Sequence, residues 1–379
     1  MSVRQISPAE MEKGTMLIHI VTDNFSTGGG IEHIFQIVKG LPELDFKIFA
    51  GAGDMLAKFS GLANVETCSR GYSPALVLKT KPDLIHIHHL RPLLAFYRNP
   101  LARYEVPVIY TAHGLHIHKY EFPCSVLNRL KYKLRFVLEK YLFVRADQVI
   151  AVSKADRDFI RNRYKLNHVR YIANGIDPSR LEEVQSQRKI GDEFQLPAKR
   201  ILFITVARFN FQKGYDVLIR AIALIRDFLK EKNAKFLLVG DGETLPEMKK
   251  MSEQLQVADL VRFSGTRTDV YSLMKSADVL ILPSRWEGLP IVLLEAGLLK
   301  IPVIASDTYG NNELLGQARG VMFENENVRD LAEKIKRTLN GEYKLAYHAD
   351  NFYHFVNNNY SVTKMLAGLH DTYASTLGG

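Results

Sequence analysis

The stretch Ser284 to Leu298, SRWEGLPIVLLEAGL, holds two glutamates, Glu287 and Glu295, and the chain's only tryptophan, Trp286. Two carboxylates can act as acid and base in glycoside hydrolysis when they flank the bond at about 5–10 Å. They can also hold the hydroxyl groups of a ligand. An apolar run, VLILP, ends just before the stretch, and Pro290 suits the first turn of a helix because its missing N–H needs no partner there. Glu287 is then on a loop and Glu295 inside a helix, roughly 7–8 Å along the axis from Pro290 at about 1.5 Å per residue. Carboxylates at two depths beside a helix N-terminus suit a ligand held at two levels, with the helix dipole directed at a negative group. The plain alternative is a charged loop, an exposed helix position and a core Trp286.

Cations stand at a second strand end. The run ILFITVA leads into ARFNFQKG, where Arg208 and Lys213 leave the strand on a loop and are able to clamp a diphosphate. Near the start, MLIHIVT runs into DNFSTGGGIEHIFQIV, and Gly28, Gly29 and Gly30 permit close backbone approach before a helix whose free N–H groups attract an anion. A plain turn and an exposed basic loop would look the same in isolation. Histidines crowd two neighbouring strand ends: His86, His88 and His89 in HIHH, then His113, His116 and His118 in TAHGLHIH. No cysteine or carboxylate spacing completes a zinc ligand set, so no metal is expected and one histidine is read as a hydrogen-bonding group. The only Asp-x-Asp, Asp156 and Asp158, points its carboxylates about 200° apart on a helix and reads as a solvated face.

The elements that must position these residues alternate short apolar runs with longer amphipathic ones, the pattern of parallel sheets with crossover helices. Strands are predicted over 16–22, 46–50, 83–88, 106–112, 148–152 and 169–173, then over 201–207, 235–240, 261–265, 279–283 and 302–306. The 379 residues exceed what one core usually organises. The polar segment 178–199 reads as a linker, which predicts domains over 1–182 and 183–351 and a final segment over 352–379. Ligands of such sheets bind at the carboxyl ends of the strands. Two cysteines, Cys68 and Cys124, fit a reducing compartment. The start, MSVRQISPAEMEKGT, lacks the apolar region of a signal peptide. The longest apolar runs fall far below the roughly 18 residues of a membrane-spanning helix, so the expectation is a cytoplasmic protein, peripheral at most.

Taken together and in order, STGGGIEH, DLIHIHH, TAHG, AVSKAD, IANGID, VARFNFQKG, LVGDGE, RFSGTR, ADVLILPSRWEGLPIVLLEA and IPVIAS resemble the retaining glycosyltransferases of family 4, over roughly Met16 to Asn340. The resemblance implies the GT-B fold: two facing Rossmann-like domains, a central cleft, and a C-terminal helix crossing back to the first domain. It implies that Arg208 and Lys213 bind the donor diphosphate, that Glu295 holds the ribose and that Glu287 contacts the transferred sugar. Gly288, Leu289 and Pro290 would cradle phosphate, with Gly29 and Gly30 approaching from the other domain, His113 reaching the sugar, and Asn174 and Gly175 at the hinge side. Transfer would proceed with retention, without a required metal or other cofactor, from a UDP-sugar. Cationic stabilisation of the leaving diphosphate would then be the main catalytic device. Two stretches depart from the family pattern: EAGLLKIPVIAS has Lys300 where the family has glycine, and YGNNE has Asn311 and Asn312 before Glu313.

The formal net charge of +9 lies wholly in residues 1–180, which carry 25 Lys+Arg against 16 Asp+Glu. That is the half which, by resemblance, receives the acceptor. The segment 128–147, NRLKYKLRFVLEKYLFVRAD, sets Arg129, Lys131, Lys133 and Arg135 among leucines and aromatics, the pattern of a helix lying on an anionic membrane or gripping a lipid diphosphate. A core-packed helix with a basic outer face fits the same letters. The expected acceptor is a glycan or lipid-linked and anionic, as in lipopolysaccharide or capsule assembly. A nucleotide-sugar 2-epimerase of the same fold is the alternative and would turn over without acceptor. A nucleic-acid-binding role is disfavoured because no recognition motif appears.

Overall fold

The apolar runs form two parallel sheets. The computed structural model describes residues 15–26, 28–122, 125–179, 193–194, 197, 199–316 and 318–378. Most of the expected linker, and Cys124, lie outside them; Cys68 is a free thiol. By internal contacts the chain divides into Met1–Ala173 with Thr363–Gly379, and Asn174–Val362.

In the first unit, β1 (Leu17–Asn24), β2 (Asp45–Gly51), β3 (Val65–Cys68), β4 (Leu84–His88), β5 (Val108–Ala112), β6 (Gln148–Ala151) and β7 (Val169–Tyr171) run in the order β3-β2-β1-β4-β5-β6-β7. Helices α1 (Gly29–Gly40), α2 (Leu90–Tyr97) and α3 (Val126–Phe143) follow β1, β4 and β5. All five residues of β4 are buried, as expected for a strand covered on both faces. Its alternation sets His86 and His88 on one face, and the register pairs His88 with Thr111 of β5, two residues before His113.

The second sheet has the order β10-β9-β8-β11-β12-β13, from β8 (Ile201–Val206), β9 (Ala234–Val239), β10 (Val261–Gly265), β11 (Val279–Leu282), β12 (Val303–Ser306) and β13 (Val321–Phe323). The helices that matter for its site are α4 (Tyr215–Leu224), α5 (Val270–Lys275), α6 (Ile291–Leu298), α7 (Tyr309–Leu315) and α8 (Leu345–Asn359). The final helix, α9 (Val362–Leu377), returns to the first unit: Tyr373 Oη bonds His86 Nδ1 at 2.8 Å, and a Cβ on Gly368 would rest 3.5 Å from Ile172.

Each sheet reverses its order beside its first strand, between β1 and β4 and between β8 and β11. Such switch points open a crevice at the strand ends. The glycine loop and the histidines therefore belong to one, and Arg208, Lys213 and Glu287 to the other.

The eleven expected strands are present, shifted by a residue or two, and two more appear at the sheet edges, β3 and β13. The change of unit lies after Ala173, ahead of segment 178–199, because Asn174 and Ile176 already bond within the second unit, to Leu289 and Tyr360. Residues 352–359 also stay there, since Gly297 of α6 packs against Phe352 and Val356 of α8. The return to the first unit begins at α9. Pro290 is the N-cap of α6, one position before its first turn.

Lys300 takes φ +54°, the left-handed region that favours glycine, which accounts for the family's preference there. Its ammonium pairs with Asp350 of α8 at 2.9 Å, so this departure tethers the end of α6 to α8. The Asp-x-Asp reading is half corrected: Asp156 is buried behind the Ser153 N-cap, and only Asp158 is exposed, paired with Arg157.

Candidate active site

The loop after β8 is tied down at several points. Phe209 and Tyr215 stack at 3.8 Å, Tyr215 Oη donates to Ala207 O at 2.9 Å, and Asn210 Oδ1 accepts from Lys213 N at 3.2 Å. Gly214, at φ +64°, lets the loop touch the end of β11: a Cβ there would stand 2.0 Å from Pro283 O. The loop therefore delivers Lys213 beside Glu287, Nζ to Oε1 at 2.5 Å, with both side chains largely shielded from water. Arg208 is exposed at the start of the same loop.

Arg285, which the sequence reading passed over, ties this loop to the next. It bonds Asp216 of α4 through both Nη atoms at 3.0 and 2.8 Å, Glu326 at 2.6 Å and Phe211 O at 2.7 Å, and it lies 4.1 Å from the Phe211 ring centre. Burial opposes its charge, but the bonds to Asp216 and Glu326 outweigh burial and raise its pKa above the ordinary value. Gln212 adds two more ties, Nε2 to Trp286 O at 2.9 Å and its own carbonyl to Arg285 N at 2.7 Å.

The WEGLP loop is held from behind as well. A Cβ on Gly310 of α7 would lie 2.0 Å from Gly288 O, so only glycine fits. Leu289 O accepts from Asn174 Nδ2 at 3.0 Å. Gly288, Leu289 and Pro290 are buried, and one α6 turn further Glu295 Oε1 accepts from Tyr271 Oη of α5 at 2.9 Å. Glu287 and Glu295 thus have different partners, a lysine and a tyrosine. Asn311 is buried and bonds Ser306, while Asn312 is exposed and bonds Asp307, so the YGNNE departure anchors α7.

Two family models cover most of the chain: "Glycosyltransferase Family 4" matches residues 27–180 and "Glycosyl transferases group 1" matches residues 186–354. The chain belongs to the family 4 glycosyltransferases. A glycosyltransferase of Methanocaldococcus jannaschii is 30% identical over 68% of this chain and 66% of its own length. For a second from that organism the match spans only 57% of the relative. The UDP-Gal:alpha-D-GlcNAc-diphosphoundecaprenol alpha-1,3-galactosyltransferase of Escherichia coli is 26% identical over 79% of this chain and 76% of its own. Among solved structures, Anabaena HepE in complex with UDP-glucose superposes with a TM-score of 0.80 at 22% identity, over 95% of this chain and all of that one. That likeness shows the shared GT-B fold.

In the glycosyltransferase's first unit the histidines are neighbours. His88 Nδ1 and His113 Nε2 are 2.8 Å apart, and His86, held by Tyr373 and Thr111, lies behind His88 with ring centres 4.2 Å apart. Burial drives the pKa of His86 down to about 3 and that of His88 well below the usual imidazole value, so both are neutral at pH 7. His33 of α1, absent from the expected cluster, joins it; burial lowers its pKa to about 4. Gly30 packs on His89, where a Cβ would stand 2.8 Å from the ring, and Gly29 opens α1. His118 instead bonds Glu121, and the His116 side chain lies outside the described residues.

Helix α3 turns an apolar stripe outward. Val126, Leu127, Leu130, Leu134 and Val137 are 55–84% exposed. At about 100° per residue they share one face, with Arg129, Lys133 and Lys140 along one flank and Lys131 along the other. Arg135 is a correction to the expected basic set: it pairs at 2.5 Å with buried Glu139, which also accepts from Tyr164 Oη. Among the described residues no helix is long and apolar enough to cross a membrane.

Proposed function

We propose that this glycosyltransferase moves a sugar, with retention at the anomeric carbon, from a UDP-sugar to a lipid-linked, anionic acceptor of cell-surface polysaccharide or glycoconjugate assembly. The observation that carries the donor half is the Lys213–Glu287 pair at 2.5 Å beside the start of α6. Arg208 and Lys213 meet the diphosphate, Glu287 the sugar hydroxyls, and Glu295 the ribose. His113 serves the transferred sugar. The bond from the anomeric carbon to the diphosphate oxygen breaks while the bond to the acceptor oxygen forms, and the acceptor proton passes to the leaving diphosphate. Electrostatic stabilisation of that leaving group supplies most of the rate. The E. coli relative, whose name gives a UDP-sugar donor and a diphosphoundecaprenol acceptor, supports both substrate classes.

The test is transfer from a panel of UDP-sugars to a polyprenyl-diphosphate-linked sugar, with the product anomer read by NMR and UDP binding by calorimetry. Glu295→Ala should weaken UDP binding about tenfold, because its carboxylate holds the nucleoside. Glu287→Ala should leave UDP binding within about threefold and lower transfer about a hundredfold, the loss expected for one transition-state contact. Conversion of the nucleotide sugar without acceptor would favour the epimerase reading, and the absence of any UDP affinity would end this one.

The acceptor half rests on α3. Five exposed aliphatic side chains on one face serve no packing purpose within the unit, and flanking cations match an anionic lipid surface. Inserting a leucine contributes about 1.5–3 kcal/mol. Leu130→Ser with Leu134→Ser should therefore reduce co-flotation with phosphatidylglycerol vesicles about a hundredfold without lowering the melting temperature. Flotation that is indifferent to anionic lipid would remove the membrane from the proposal.

A further inference from the structure

The first unit brings together three imidazoles of which the transfer chemistry uses one. His33 comes from α1, His88 ends β4 and His113 follows β5, and one ring nitrogen from each lies within 4.8 Å of the other two. His33 stands nearly edge-on to His113, ring centres 4.9 Å apart at 81°, and 5.7 Å from His88. Both ring nitrogens of His33, and Nε2 of His88, are buried without a hydrogen-bond partner among the described residues. A buried polar atom left unpaired costs about 1–3 kcal/mol, and a folded protein leaves few of them. On elements brought together by the sheet's switch point, each neutral ring has one nitrogen with a lone pair, and the unpartnered nitrogens of His33 and His88 fit a ligand that accepts such lone pairs.

We propose that His33, His88 and His113 form a three-histidine site for a divalent transition metal of the zinc class, and that its occupation restrains sugar transfer by engaging His113. Zinc binds imidazole nitrogen at about 2.0–2.1 Å with tetrahedral angles, which separates ligand nitrogens by about 3.4 Å. One ring nitrogen from each histidine already lies within 4.8 Å of the other two, so the rings need draw together only modestly to reach that separation. Three neutral nitrogen ligands select zinc, cobalt, nickel or copper over magnesium and calcium, which prefer oxygen. Three protein ligands leave a fourth position open. His86 packs behind His88 and is itself fixed by Thr111 at 2.7 Å, which keeps the His88 ring from turning away. The metal is no part of the transfer chemistry; the inhibitory half alone rests on the role given to His113.

The experiment uses the full chain, freed of metal by chelation and carrying no histidine tag. Cobalt(II) titration should saturate at one equivalent with the intense visible absorption of a four-coordinate ion, and zinc should displace it. Micromolar zinc should lower transfer at least fivefold, with recovery on adding chelator. His33→Gln, outside the donor and sugar contacts, should keep metal-free transfer within about twofold while cobalt affinity falls about 10–100-fold and zinc inhibition disappears. X-ray absorption of the wild-type zinc protein counts imidazole ligands without relying on any variant folding. Only weak six-coordinate cobalt absorption, or a spectrum unchanged by His33→Gln, would overturn the site. Tight cobalt binding with transfer unaffected by zinc would overturn the inhibitory half and count against the role of His113, while UDP binding remains the separate test of the donor reading.

Discussion

Lys213→Ala should lower kcat by about 10²–10³-fold, with a much smaller change in KM, because in the role proposed for it the ammonium acts where charge develops. A preorganised donor aimed at a leaving group is worth about 2.7–4 kcal/mol in the transition state. Lys213 is preorganised in three ways: the Phe209–Tyr215 stack fixes the loop, Asn210 caps its backbone, and Glu287 holds its Nζ at 2.5 Å. In the ground state Glu287 already neutralises much of that charge. In the proposed reaction the diphosphate gains charge as the anomeric bond breaks, and Lys213 would interact with it more strongly than before, which would raise kcat. Steady-state kinetics with saturating acceptor, beside calorimetric UDP titration, separates the two effects. Lys213→Ala also leaves Glu287 without its partner, so the Lys213→Ala/Glu287→Ala double variant is needed. The pair should be strongly non-additive, the double variant being little slower than Lys213→Ala. A Lys213→Ala enzyme retaining a third of wild-type kcat would show that the diphosphate is stabilised elsewhere.

What the sequence disclosed, and what it hid, follows from the range of the interactions. Parallel strands covered on both faces are written as continuous apolar runs, so the interior strands could be read locally. Edge strands β3 and β13 are three or four residues long, and β3 is buried at none of its positions, so neither carried that signal. Lys213 and Glu287 were legible as strand-end residues beside glycine and proline. Arg285 was not, since its partners Asp216 and Glu326 are 69 and 41 positions away and a buried guanidinium has no periodicity. Tyr271, 24 positions from Glu295, was hidden for the same reason. His33 escaped notice because it belongs to a helix whose neighbours suggested only phosphate. On α3, the letters left open which face packs inward; the fold spends Arg135 on Glu139 and leaves Leu130 and Leu134 in water.

Arg285→Met should be the most damaging single change outside the substrate contacts. The side chain is only 5% exposed and replaces its lost hydration with Asp216, Glu326 and the Phe211 carbonyl. Methionine restores much of the volume but none of these bonds. Asp216 and Glu326 are partly open, at 23% and 37%, and recover some hydration, which places the cost at about 2–4 kcal/mol, below that of breaking a fully enclosed pair. At about 2–4 °C per kcal/mol, the melting temperature should fall by about 5–15 °C. Activity should fall further than stability requires. Arg285 joins the loop that carries Lys213 to the one that carries Glu287, and an error of about 1 Å between reacting groups can cost about a hundredfold in rate. Measured well below its melting temperature, the variant should therefore transfer about a hundredfold more slowly while UDP, which the proposed site holds at Glu295, still binds within about threefold. Arg285→Lys keeps a charge but not the forked geometry, so it should recover part of the stability and little of the rate. Equal losses of stability and UDP affinity with normal turnover would mean that Arg285 supports the fold alone, and that the two loops hold their register without it.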